Sequence, residues 1–183
     1  NLTASTTTAS GVSDATSSAF DIRERPELMI SEIADPNDHG SSNEIRYVEL
    51  FNASADAIDF SSENYYLHNA TTGSSVQLTG SVDAKGYYII ALDSNTNPDD
   101  FDTEYDITAD MESNIVNFNG DDAIYLSTQD TEASLFDVYG VIADSDTSGQ
   151  SWDFTDTRAY RTIPATSQSN SAYDDNEWTI DKS

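Results

Sequence analysis

No stretch of this sequence keeps apolar residues on a helical period for three turns, and that absence constrains the fold more than any other feature. Short apolar-rich runs recur instead, at residues 28–33, 47–51, 57–60, 65–68, 76–78, 87–92, 115–118, 123–127, 135–142, 158–161 and 178–180. Clusters of Asn, Asp, Gly and Ser separate them, which is the signature of short strands joined by turns. A single turn of helix around residues 98–105 is the one helical expectation. The pattern predicts an all-β sandwich. Simple alternation places Ile30 and Glu32 on one face of the first strand, and Val48 and Leu50 opposite Glu49 in the second.

Charge limits the partners. The formal net charge is −27, from 34 acidic and 7 basic residues. Nucleic-acid affinity comes mainly from Lys and Arg displacing counterions, so this field repels phosphate backbones. It repels anionic membrane surfaces too, and no apolar run is long enough to span a bilayer. The expectation is no nucleic acid and no membrane insertion. Of the acids, 24 are Asp and only 10 are Glu, a bias that suits turns and cation-binding loops. Such composition can signal disorder, but 10 Tyr, 7 Phe and 2 Trp supply a core. There is no Cys, hence no disulfide. With no signal peptide present, the sequence reads as a mature secreted form or a cytosolic chain.

The blocks LMISEIADPND, EIRYVELFNAS, AIDF, KGYYIIA, NFNGDDAIYL, DVYGVIADSDTSGQSWDF, RAYR and EWTI, in that order over residues 28–180, resemble the lamin tail domain family. They are nearest to its bacterial secreted and cell-surface branch, which includes accessory modules of extracellular nucleases. The resemblance implies an immunoglobulin-like β-sandwich with a non-enzymatic role. A Trp usual in the family after the AIDF-type block is absent, and Tyr65 or Tyr66 is the candidate to fill its core position. No nuclease domain accompanies the blocks. A chain that is complete at 183 residues is then a self-standing building unit rather than an accessory.

Two acidic loops are candidate Ca²⁺ sites, because a hard cation takes carboxylate, carbonyl and water oxygens. One carries Asp35 and Asp38 in a Pro/Gly loop without EF-hand spacing. The other carries Asp121 and Asp122 after Asn119-Gly120, a two-residue hairpin signal; these carboxylates serve equally well as caps on backbone amides. Glu32 and Glu49 fit either an acid–base pair or partners for the few Arg residues. Arg46, Arg158 and Arg161 are the natural partners. His39 and His68 lie in no catalytic motif, so no catalytic residue is assigned. Trp152, Phe154, Tyr160 and Trp178 read as core. Asn1, Asn52 and Asn69 each begin an N-x-[ST] triplet.

Residues 1–26 form a Ser/Thr-rich extended arm or linker, and residues 27–183 the sandwich domain. Leu2, Val12, Phe20 and Ile22 are the arm's apolar anchors. The functional expectation is a non-catalytic structural or adhesive protein, extracellular or at the cell surface. It would be a subunit of a surface or filament assembly joined through its arm, by self-association or with a protein partner. The alternative is a Ca²⁺-stabilised accessory binding module of a secreted enzyme system.

Overall fold

The computed structural model describes residues 27–36, 45–93, 101–162 and 168–181, together with the backbone of two short strands, β1 (Thr3–Ala4) and β2 (Ala15–Thr16). Along the domain follow β3 (Leu28–Ala34), β4 (Tyr47–Asn52), β5 (Ile58–Asp59), β6 (Tyr66–Asn69), β7 (Ser74–Gln77), β8 (Ser81–Val82) and β9 (Tyr87–Ala91). A one-turn helix, α1 (Phe101–Tyr105), leads to β10 (Met111–Glu112), β11 (Ile124–Ser127), β12 (Leu135–Tyr139), β13 (Arg158–Arg161) and β14 (Trp178–Asp181).

Two main sheets face each other, ordered β10-β9-β4-β3-β13-β14 and β12-β11-β6-β7, with a small β5-β8 pair at the side. Ile33, Val48, Leu50, Tyr88 and Ile90 from the first sheet pack against Leu67, Ile124, Leu126 and Tyr139 from the second. This is the immunoglobulin-like sandwich that the blocks implied. Of the two candidates for that core position, Tyr65 is the buried one: it is 4% exposed and edge-on to Phe60 and Phe136. Tyr66 is only half-buried.

One expectation about faces changes. The β3–β4 register shifts between Ile30 and Glu32, a β-bulge at Ser31. Because side chains alternate with a period of two, one extra residue moves everything after it to the other face. Ile33 therefore joins Ile30 in the core, and Glu32 turns outward opposite Glu49. The run at 115–118 is also not a strand. Ser113 caps a 3₁₀ turn, Asn114–Val116, by accepting the Ile115 N–H. Asn119-Gly120 consequently closes no hairpin. Gly120, at φ +90°, lies so close to Thr155 that a Cβ would sit 2.2 Å from its Cα, and its carbonyl accepts the Phe154 N–H at 2.9 Å.

The sheets are tied together by charge as well as by apolar packing. Asp137 on β12, 0% exposed, accepts both contacts from Arg161 Nη1 on β13 at 3.1 Å. It also accepts the Asn170 N–H at 2.7 Å and, from β3, the Ile30 N–H at 2.7 Å. β13 pairs only with Glu32, Ile33 and Ala34, so Ile30 lies beyond that ladder and its N–H is available. The Arg161 guanidinium stacks on Trp178, 4.6 Å from the ring centroid. Trp178 in turn meets Tyr139 edge-on at 4.7 Å. Trp152 and Phe154 are core, as expected, whereas Tyr160 is 37% exposed on the outer face.

Removing one partner of a buried pair strands the other charge. Asp137→Ala should lose about 3–5 kcal/mol of stability, measured by chemical denaturation. A double variant, Asp137→Leu with Arg161→Met, should recover part of that loss, since no charge is then left buried.

Candidate interaction surface

The described charged groups are largely occupied in holding the fold. Arg46 Nε donates to Asp35 Oδ1 at 2.6 Å, both residues being buried, and Arg46 Nη1 donates to Asn117 Oδ1 at 2.6 Å. Arg158 pairs with Glu32 at 3.4 Å and with Asp181 at 3.3 Å. Lys85 donates to the Ala53 carbonyl. Glu32 also accepts the Tyr47 hydroxyl, and Glu49 accepts Ser31 Oγ at 2.6 Å. The two glutamates face each other on the outward side of the large sheet, each already partnered.

The candidate Ca²⁺ ligands fall on different loops. Asp35 is held by Arg46, and Asp38 lies outside the described residues. Asp122 Oδ2 accepts the Asn119 N–H at 3.0 Å. With its amide nitrogen turned towards them, the Asn119 side chain donates to Asp121 Oδ1 at 2.6 Å and Asp122 Oδ2 at 2.9 Å. Backbone capping thus accounts for much of this loop. Among the described residues no three His, Cys, Asp or Glu side chains are grouped to hold a metal. The arm residues Leu2, Val12, Phe20 and Ile22 lie outside the described residues, as does His39.

His68 is 4% exposed and stacked on Tyr125 at 4.3 Å. Its Nε2 lies 2.7 Å from Ser127 Oγ, but that hydroxyl donates to the Gln129 carbonyl. Nε2 is therefore the donor to Ser127, the reverse of a general base activating a nucleophile. Asn52 and Asn69 are 0% and 2% exposed, which closes both triplets to modification in the folded domain.

Surface remains, and the sheet edges differ. A β-edge with free backbone groups is a template for another strand unless charge or a covering segment guards it. β10 ends on Glu112 beside Asp110, and β14 carries Asp181 next to Glu177. At β12, the Val138 N–H bonds the Asn170 carbonyl at 3.1 Å. β7 carries no charged residue of its own and, among the described residues, no covering segment, although Ser75 Oγ donates to Asp130 Oδ1 at 2.5 Å. Residues 70–82, which include it, contain no charged side chain. An open groove of about 290 Å³ runs beside it, lined among others by Asn69, Ser74, Val76, Asn114, Ile115 and Asn117. Every lining residue is uncharged. A second groove, of about 410 Å³ beside β14, holds Asp175.

The Lamin Tail Domain family model matches residues 23–143, more than half of the chain. The chain belongs to the lamin tail domain family. No curated protein matches it. The family is one of immunoglobulin-like modules, consistent with a non-catalytic structural role. In this lamin tail domain, the sandwich continues past the matched segment, because β13 and β14 complete the larger sheet. Sequence reasoning named the candidate acids but passed over β7. Its signal was present as a long uncharged stretch in an otherwise acidic chain.

Burial pushes up the carboxyls of Asp35 and Glu49, opposed by Arg46 and Ser31 respectively. It pushes up Asp121 as well, helped by Asp122, Asp146 and Asp153. Asp137 is pushed up to about 6 by burial, against the pull of Arg161 and two backbone N–H groups. Each raised carboxyl contributes stability that is complete below its unfolded value, about 4, and lost as pH rises through the folded one. In a His68→Gln variant, which removes the opposing contribution of a histidine whose pKa burial lowers, the melting temperature should therefore climb as pH is lowered from 7 to about 5. Calorimetry that shows it falling across that window contradicts this assignment.

Proposed function

We propose that this lamin tail domain is a non-catalytic structural or adhesive module, acting outside the cell or at its surface, that self-associates or docks a protein partner. The observation that carries the proposal is the uncharged β7 edge strand and its uncharged groove in a chain of net charge −27. A surface meant only for solubility has no need of a neutral strand edge, whereas strand addition requires one. The strongly acidic remainder suits a salty or cation-rich medium, where screening relieves repulsion between copies. The reversed Ser127–His68 hydrogen bond supports a role without catalysis.

Sedimentation velocity of the full chain should show association that grows with protein concentration and with NaCl, because salt screens body-to-body repulsion without weakening a neutral contact. A chain that stays monomeric over that range removes self-association and leaves only a different protein as partner.

A second reading is a Ca²⁺-stabilised accessory module of a secreted enzyme system. In its favour, burial and the charges of Asp122, Asp146 and Asp153 disfavour Asp121 as an anion, which a bound cation would relieve, although no three of the described acids form a ready-made site. Millimolar Ca²⁺ should then raise the melting temperature, since a ligand bound only by the folded state stabilises it. An unchanged transition dismisses this reading.

A further inference from the structure

We propose that the open edge of β7 receives residues 1–20 of a second copy of this chain as an added strand. The inference rests on the self-association reading and names its donor and acceptor.

The acceptor is set by backbone alternation. The Leu78 N–H bonds the Tyr65 carbonyl at 2.8 Å, and Leu67 pairs with Val76 in the same register. In an antiparallel ladder, alternate residues turn their N–H and C=O groups to the partner. Ser75 and Gln77 therefore turn theirs away from β6, toward the groove. The far wall, from Ser113 to Asn117, offers Asn and Ser side chains around Ile115. The lining is uncharged, with Val76 and Ile115 its apolar members, and the carboxylate bonded to it is that of Asp130, which accepts Ser75 Oγ.

The donor is set by charge and by composition. Residues 1–20 carry a single charged residue, Asp14, in a chain with 34 acidic ones. They contain no Pro, and Thr is frequent among them, a residue that favours extended backbone. Among the described residues, the strands β1 and β2 within this segment pair with each other, Thr3 with Thr16 and Ala4 with Ala15. An isolated two-stranded pair is marginal in water and gains from a third strand. The pair does not join the β7 sheet, and among the described residues no strand pairs with the outer edge of β7. Donor and acceptor are different surfaces, so the contact can propagate from copy to copy.

The test uses full-length variants. A Pro at an edge position facing away from the sheet removes a donor that the isolated domain does not use. Gln77→Pro should leave the melting temperature close to that of the parent while weakening association about tenfold, the value of roughly one backbone hydrogen bond lost. Gln77→Thr, which keeps the N–H, should associate as the parent does. A synthetic peptide of residues 1–20 in excess should disperse the assemblies. Hydrogen exchange should show the Ser75 and Gln77 amides becoming protected only on association.

Three results overturn the placement. Association unchanged by Gln77→Pro and by the peptide leaves the self-association reading standing and removes β7 as its site. Protection of the two amides in a monomer, abolished by the peptide, assigns the strand to the same chain instead. A full chain that never associates removes both readings together.

Discussion

A carboxylate enclosed between two sheets must be answered by a cation, and the arrangement of this domain follows from how Asp137 is answered. Three groups converge on it from separate parts of the chain: Arg161 from β13, the Ile30 N–H from β3 and the Asn170 N–H from the connection between β13 and β14. A buried pair of this kind adds little net stability compared with apolar packing, because two ions have lost their water. Its larger effect is on uniqueness. A slipped pairing of β13 that carries Arg161 away from Asp137 leaves a buried ion without a partner. The bulge at Ser31 fits that requirement, since it sets Ile33 inward while Ile30 keeps an N–H for Asp137.

Much of the fold was legible because its causes are local. Alternation in Tyr47–Asn52 and Tyr87–Ala91 marks strands with one buried face, and the observed burial follows it. Scarcity made the Arg residues legible too: in so acidic a chain, each of Arg46, Arg158 and Arg161 was expected to hold a carboxylate, and each does. What stayed hidden depended on distant contacts. Nothing near Ser31 announces a bulge, because its cause includes the partner strand and Asp137, far along the chain. Residues 115–118 look like a strand until Ser113 caps them and Asn117 is claimed by Arg46. Tyr160 is indistinguishable in type from core aromatics, and only the parity of β13, fixed by Ala159 and Arg161 inside, sends it outward.

The candidate surface shows the same division. Acidic loops are conspicuous in sequence, yet several of their carboxylates are engaged by Arg46, by Asn119 or by backbone amides. The uncharged β7 edge is defined by what surrounds it, namely three other edges protected by acid or by a covering segment. Edges in soluble proteins are often guarded with Lys. Here that residue is nearly missing, with Lys85 and Lys182 its only instances, and Asp and Glu perform the guarding. A neutral edge in this setting is a departure from the rule the rest of the surface keeps.

The placement of β13 has a consequence for the order in which the molecule is made. It lies between β3 and β14, so the first long strand of the domain acquires its second neighbour from residues far later in the chain. Until Arg161 has left the ribosome, Asp137 has no counter-ion and the Ile30 side of β3 has no covering strand. The nascent chain therefore cannot close its interior stepwise from the N-terminus. Long-range pairing of that sort folds slowly.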